Sequence, residues 1–333
     1  MSLASSTRPL CEVYDLAMLD LDGVVYVGPE AVAGAADALA AAREAGMSLA
    51  YVTNNAARNP AEVAAHLRQL GMPAVLDTDV VNSAQAVAHL IADAVPAGSE
   101  ILVVGGAGLY DALEERGLRG VDHFTDGVAA VVQGFHPDVN WRLLAEGTYA
   151  VNAGLPWFAS NLDLSVPTAR GIAPGNGALV GLIARATGRK PIVAGKPEAA
   201  LFAETTERVG GEHPLVVGDR LDTDIEGAGN VGADSLVVLT GVSSLQDIAD
   251  ADGRQRASFI ASDLRGLLIP HPEVTVEDDT ARCGDAVVRA KGDSIVVETA
   301  GGETDRLRAA IDLAWTYRDR TGTSLRLDGM MKS

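Results

Sequence analysis

Residues 16–26 read Leu-Ala-Met-Leu-Asp-Leu-Asp-Gly-Val-Val-Tyr. The apolar run Leu16–Leu19 stops on two carboxylates, Asp20 and Asp22, with Gly23 directly behind them. An unbroken apolar run of this kind predicts a strand covered on both faces, as in a parallel sheet. Its carboxyl end is the edge at which open α/β sheets take ligands. The same order recurs along the chain. Ser48–Val52 is followed by Thr53, Asn54 and Asn55, Ile192–Ala194 by Lys196, and Leu215–Val217 by Asp219. Helices are expected between these runs, at Val32–Ala45, from Asn59-Pro60 to Gly71, from about Glu198 to Val209, and near Asp224–Asn230. A last core strand is expected at Ser235–Leu239. Strands alternating with helices predict an α/β protein with a doubly wound, Rossmann-like parallel sheet.

Composition agrees with that reading. The chain has 333 residues, 47% of them hydrophobic and only 4% aromatic, so its core must be aliphatic. This much apolar material excludes disorder as the main state. The formal net charge of −19 argues against nucleic acid or an anionic membrane surface as a partner. Cys11 and Cys283 are far apart and lack metal-ligand spacing, so they are expected to be inert thiols in a reducing compartment. No apolar stretch approaches 18 residues, and the opening MSLASSTRPL lacks the apolar segment of a secretory signal. A cytoplasmic location is therefore expected.

Between the two halves of the core pattern lies a stretch with its own alternation. Strands are expected at Glu100–Val104, Ala129–Val132 and Trp157–Ala159, with helices at Val139–Ala145 and Gly177–Ala186. We therefore expect an inserted α/β domain at 83–189, flanked by core segments 1–82 and 190–270. From His271 the pattern changes to short hairpin strands, at Glu273–Asp278, Ala286–Ala290 and Ser294–Glu298. A helix follows at Asp305–Arg320, making 271–333 a small α+β tail. Packing or a homo-oligomer contact is its expected role, since no glycine-rich pyrophosphate loop leads into its helix.

Two carboxylates after one strand and Asp219, Asp222 and Asp224 after another would crowd one edge with like charge, which raises carboxyl pKa values. A bound divalent cation relieves the crowding, and all-oxygen ligands favour Mg²⁺ over zinc. Thr53, Asn54 and Lys196 would offer donors and positive charge to phosphate oxygens. Asp222 is better explained as a helix start, where a carboxylate meets the positive end of the dipole. Gly105-Gly106-Ala107-Gly108 lacks the third glycine of a dinucleotide fingerprint and is read as a turn. Gly175-Asn176-Gly177 is also read as a turn and helix start. The six histidines, among them His66, His89 and His136, show no ligand spacing.

DLDGVVY at 20–26, TNN at 53–55, GKP at 195–197 and GDRLDTD at 218–224 together resemble the four motifs of the haloacid dehalogenase superfamily of phosphatases. Two further segments, VVQGFHPDVNW at 131–141 and ASNLDLSVPTARGIAPGNGAL at 159–179, resemble the cap of its NagD, p-nitrophenylphosphatase and phosphoglycolate phosphatase branch. The small tail resembles that of the bacterial glycerol-3-phosphate phosphatase type. The resemblance implies a Mg²⁺-dependent phosphomonoesterase acting through an aspartyl-phosphate, with 83–189 as a cap domain. It makes Asp20 the nucleophile and Asp22 the general acid and base. Metal contacts would come from the Asp20 carboxylate, the Asp22 carbonyl and Asp219. Thr53, Asn54, Asn55 and Lys196 would bind substrate, Asp224 would support Lys196 or a metal-bound water, and Asn161 and Asp163 would meet substrate from the cap segment. The implied substrate is a small phosphorylated metabolite, glycerol 3-phosphate first. Phosphoglycolate, pyridoxal phosphate and sugar or nucleotide monophosphates are the alternatives. A phosphomutase would share the scaffold. A phospho-accepting receiver domain would be about a third of this length and would lack the second carboxylate.

Overall fold

The computed structural model describes residues 2–72, 74–168 and 170–327. The chain divides into two compact units. One comprises Met1–Tyr51, Leu67–Val75 and Gly210–Ser333, the other Val52–His66 and Leu76–Val209.

Five parallel strands lie in the order Phe259–Ala261, Asp234–Val238, Pro214–Gly218, Leu16–Leu19, Ser48–Thr53, all in the first unit except the last two residues of Ser48–Thr53. Leu16 is in register with Pro214 on one side and Ser48 on the other. All four residues of Leu16–Leu19 are buried, which is why that stretch is continuously apolar rather than alternating. The expected helix at 32–45 begins later, at Ala35, behind Gly34 in the left-handed region at φ 77°, and ends at Glu44. The Phe259–Ala261 strand was not expected, because three apolar residues carry too little pattern to separate a strand from a loop.

The tail belongs to this unit. Its antiparallel sheet has four strands, Thr275–Glu277, Thr280–Cys283, Ala286–Lys291 and Ser294–Thr299. The second of these, Thr-Ala-Arg-Cys, was missed because it is short and half polar. The helix Glu303–Thr321 buries Leu307, Ile311, Leu313 and Trp315 in one cluster with Val237, Ile248 and Ile260 of the parallel-sheet region. Trp315 donates its indole N–H to Ile248 O at 2.8 Å. Arg256 pairs through two nitrogens with Asp319, at 2.7 and 2.6 Å. The same helix fastens the start of the chain. Asp312 accepts from Leu3 N at 2.9 Å, and buried Arg308 donates to Ala4 O at 2.7 Å and Pro272 O at 2.8 Å.

Two buried groups here titrate in opposite senses. Burial pushes the Asp312 carboxyl up from 3.8 to about 6, against the Leu3 hydrogen bond and the Arg308 charge. Burial likewise pushes His271 down from 6.5 to about 4, against its bond to Gly266 O and with the Arg308 charge assisting. A carboxyl that holds its proton more tightly when folded withdraws stability as pH rises between its two values. An imidazole that holds it less tightly adds stability over nearly the same window, so the two effects oppose. Asp312→Asn removes only the first. Its Tm relative to wild type is expected to climb from about pH 4 to about pH 6 and then stay level. Thermal denaturation of both proteins across that range checks this, and a pH-independent difference contradicts it.

The second unit carries another parallel sheet, in the order Ile192–Val193, Trp157–Ala159, Val128–Gln133, Glu100–Val104, Arg119–Val121. Ile192–Val193 was expected in the same sheet as Leu16–Leu19. It pairs instead with Trp157–Ala159, Ile192 opposite Phe158. A two-residue strand has no pattern of its own from which to choose a partner. Helix Trp141–Asn152 runs well beyond the expected Ala145. Its start is fixed by Asn140, whose Oδ1 accepts from Arg142 N and Leu143 N at 3.0 and 3.2 Å. Helix Ser83–Ala94 opens on a reciprocal cap, Asn82 accepting from Gln85 N and Gln85 accepting from Asn82 N, both at 3.0 Å. Among the described residues no helix is long and apolar enough to cross a membrane.

Candidate active site

Asp20 follows the Leu16–Leu19 strand and donates its backbone N–H to Val217 O at 2.9 Å. Asp219 follows the neighbouring Pro214–Gly218 strand, so adjacent parallel strands present both carboxylates at one sheet edge. Asp224 joins them. A carboxylate oxygen from each of Asp20, Asp219 and Asp224 lies within 4.8 Å of the other two. Asp20 is half-buried, while Asp219 and Asp224 are fully enclosed.

The backbone is shaped to allow this crowding. Gly23 has φ +87°, and a Cβ there would fall 2.5 Å from Asp219 Oδ2. At Gly241 it would fall 2.0 Å from the same oxygen. Glycine is required where backbone approaches a ligating group so closely. The loop following the Asp234–Val238 strand closes over Asp219. Val242 N donates to its Oδ2 at 2.6 Å and Ser243 N to its carbonyl at 3.1 Å, while Thr240 Oγ1 donates to Gly23 O at 2.5 Å. Sequence reading passed over this loop, although Gly241 two residues beyond a buried strand was a usable signal.

Asp224 sits in a single π-helical turn, Leu221–Ile225, where a helix was expected to begin. The α-helix proper is Glu226–Val231. Arg220 N donates to Asp224 Oδ2 at 3.1 Å. The widened turn sends Asp224 inward while Asp222 stays exposed, paired with Arg220 at 3.1 and 2.9 Å. That pairing holds the Asp222 carboxyl below its usual range. Asp222, read from the sequence as a helix start, sits in this π turn just ahead of the α-helix. Asp224, expected in a supporting position, belongs with the carboxylate group itself. Asp22 is exposed, and its backbone bridges to Tyr26.

The second unit gathers the amide and ammonium groups. Thr53 is the last residue of its strand, and its Oγ1 accepts from Asn55 N at 3.1 Å. Asn55 is exposed and accepts from Ala57 N at 2.9 Å. Lys196 is 5% exposed, with Nζ 3.4 Å from Val52 O. Its backbone is gripped by Asn54, which accepts from Lys196 N at 2.8 Å and donates to Lys196 O at 3.1 Å. Asn161 Nδ2 donates to Asn54 O at 2.7 Å, and Asn54 Nδ2 lies 3.4 Å from half-buried Asp163 Oδ1. Asn54, Asn161, Asp163 and Lys196 thus converge, although 142 positions separate the first from the last in sequence, and Thr53 and Asn55 flank Asn54 in the chain.

One histidine has a partner that spacing did not reveal. His89 Nδ1 lies 2.5 Å from Glu204, with Glu207 at 3.4 Å. Arg116, at 2.7 Å, and Arg208 already bind the buried Glu204 carboxylate. Burial works to raise the Glu204 carboxyl, but the hydrogen bonds from His89, Arg208 and Arg116 outweigh it and hold it below its usual range. Two guanidiniums on one carboxylate make this a clamp between helices rather than a cation site. Gly105-Gly106 is the turn that was expected. It links the Glu100–Val104 strand to helix Ala107–Glu115, and a Cβ at Gly106 would lie 2.3 Å from the His136 ring.

Comparison with known families agrees with these features. A haloacid dehalogenase-like hydrolase model matches residues 17–119, and a HAD-hydrolase-like model matches 193–267. The chain belongs to the haloacid dehalogenase-like hydrolases and is an enzyme. It is 41% identical over 317 residues to a D-glycerol 3-phosphate phosphatase of Mycobacterium tuberculosis, covering 93% of this chain and 88% of that protein. An acid sugar phosphatase of Staphylococcus aureus is 36% identical over 74% of this chain and 94% of its own length. Among solved structures, the M. tuberculosis glycerol phosphate phosphatase in complex with magnesium superposes with a TM-score of 0.83 at 39% identity, over 93% of each chain. A thermostable NPPase from Geobacillus stearothermophilus gives 0.68 at 31% identity, over 76% of this chain and 97% of its own.

Proposed function

We propose that the chain is a Mg²⁺-dependent phosphomonoesterase for a small metabolite, with glycerol 3-phosphate as first choice of substrate. The observation that carries this is the triplet of carboxylates at one sheet edge, in a chain so similar to a glycerol 3-phosphate phosphatase. The donor set fits a hard cation. Three carboxylates meet within 4.8 Å, and the glycines at 23 and 241 leave no room for a Cβ beside Asp219. Asp20, Asp219 and Asp224 would hold Mg²⁺ together with the Asp22 carbonyl, and the bound ion supplies positive charge against the phosphoryl oxygens.

Asp20 is the proposed nucleophile. A carboxylate is ionised at neutral pH and needs no base to activate it. One Asp20 oxygen forms a bond to phosphorus as the ester P–O bond breaks, and the departing alkoxide takes a proton from Asp22. A water then gives a proton to Asp22 and attacks the same phosphorus, releasing inorganic phosphate and restoring the Asp20 carboxylate. Thr53, Asn55 and Lys196 are proposed to meet the phosphoryl oxygens with donors and charge. Asp163 is proposed to face hydroxyls of the leaving group. Residues 83–189 are proposed as the cap, between core segments 1–82 and 190–270, with 271–333 as the tail. A cytoplasmic setting is supported by two buried, unbridged cysteines, Cys11 and Cys283.

The test is phosphate release from glycerol 3-phosphate, phosphoglycolate, pyridoxal phosphate, p-nitrophenyl phosphate and nucleotide monophosphates, with Mg²⁺ and with chelator. Glycerol 3-phosphate is expected to give the highest kcat/KM, and exhaustive chelation to remove turnover. A tenfold preference for pyridoxal phosphate or a nucleotide overturns the substrate. Turnover undiminished by chelation overturns the metal.

A further inference from the structure

We infer that Asn54, backed by Asn161 and Ser83, is a positioning residue for Lys196 rather than a phosphate ligand. This rests on the proposal that Lys196 faces the phosphoryl group. The Asn54 amide engages Lys196 the way a neighbouring strand would, taking its backbone N–H at 2.8 Å and giving to its carbonyl at 3.1 Å. That pairing also fixes which way the amide points, because the peptide N–H needs the oxygen and the carbonyl needs the nitrogen. The second Asn54 N–H is directed to Asp163 Oδ1 at 3.4 Å. Both donors expected to serve a phosphate are therefore engaged within the protein.

A second layer holds Asn54 in turn. Its carbonyl accepts from Asn161 Nδ2 at 2.7 Å and from Ser83 Oγ at 2.5 Å. Asn161 directs its other N–H to Ser160 Oγ at 3.3 Å and accepts from Asp163 N at 3.1 Å. Its own carbonyl accepts from Asn176 Nδ2 at 2.8 Å. Relative exposures are 9% for Asn54, 4% for Asn161 and 1% for Asn176. Gly195 completes the fit, since a Cβ there would lie 2.5 Å from Ser160 O and 2.6 Å from Asn54 Oδ1. Lys196 follows a strand of only two residues, which by itself anchors the chain weakly. The asparagine relay supplies the missing register. The buried hydrogen bonds among these side chains rigidify what they touch, although Asn176 Oδ1 is left without a partner among the described residues.

The two readings of Asn161 differ in what its loss does. Misplacing a catalytic cation by about 1 Å costs roughly 10²-fold whatever ester is bound, whereas losing a contact to the leaving group discriminates between esters. Asn161→Ala is expected to lower kcat by about 10- to 100-fold, by the same factor for glycerol 3-phosphate and p-nitrophenyl phosphate. In a Lys196→Ala background it is expected to add less than about threefold, since coupled residues are not additive. Ser83→Ala, a milder truncation that spares the fold if Asn161→Ala does not, is expected to give a smaller loss with the same pattern, and circular dichroism verifies folding. A loss confined to one ester, full multiplication with Lys196→Ala, or unchanged turnover in folded Asn161→Ala and Ser83→Ala overturns the positioning role. If Lys196→Ala turnover is too low to measure, the comparison between esters decides alone. Wild-type turnover in Lys196→Ala would instead overturn the role given to Lys196 in the proposed function.

Discussion

Asp20→Asn is expected to reduce phosphate release by roughly 10⁴-fold or more, the scale seen when a nucleophile is removed from a covalent mechanism. The amide is nearly isosteric, so the Leu16–Leu19 strand and its bond from Asp20 N to Val217 O should persist. Its nitrogen carries no charge to offer phosphorus, and the change also removes one of the three carboxylates that meet within 4.8 Å. Two functions fail together while the fold remains. Steady-state phosphate release, with circular dichroism and mass spectrometry to exclude deamidation, checks the result. Activity within tenfold of wild type would rule out an Asp20 phosphoenzyme.

Ending the chain at residue 270 is expected to leave no folded first unit. The sequence suggests an appendage, because every motif residue precedes His271 and the hairpins read as a separate element. From that reading, chemistry should survive with some loss of stability. The structure places Leu307, Ile311, Leu313 and Trp315 in one cluster with Val237, Ile248 and Ile260. Losing one large buried side chain costs about 3–5 kcal/mol, and whole domains hold only about 5–15 kcal/mol. Removing several at once exceeds that margin. Expression of 1–270 is expected to give insoluble protein or, by near-ultraviolet circular dichroism, chain without fixed tertiary packing. A soluble, cooperatively melting 1–270 would return the tail to the status of an appendage.

Much of the fold was legible because its strands are buried on both faces. Leu16–Leu19, Glu100–Val104 and Trp157–Ala159 have the bounds expected of them. Carboxylates and amides stood out because they interrupt such runs. What stayed hidden depended on partners distant in sequence. Ile192–Val193 takes its sheet from contacts with Trp157–Ala159. Asp224 joins Asp20 and Asp219 through a π turn that looks like ordinary helix in one dimension. The sequence groups Asn54 and Asn161 with substrate ligands because an asparagine's hydrogen-bonding capacity is visible there, whereas its partners within the fold are not.

The bonds from Leu3 to Asp312 and from Ala4 to Arg308 also bear on how the chain is made. Synthesis runs from the amino end, and domains generally fold as units when their residues have emerged. Everything in the second unit has been made by Val209. The first unit needs residues from both extremities, so its opening strand emerges long before Trp315 exists to cover the cluster it completes. Leu16–Leu19, four buried apolar residues, is made about three hundred residues before Trp315. The second unit is thus fully synthesised about a hundred residues before Trp315 is made, and the carboxylate edge belongs to the unit completed later.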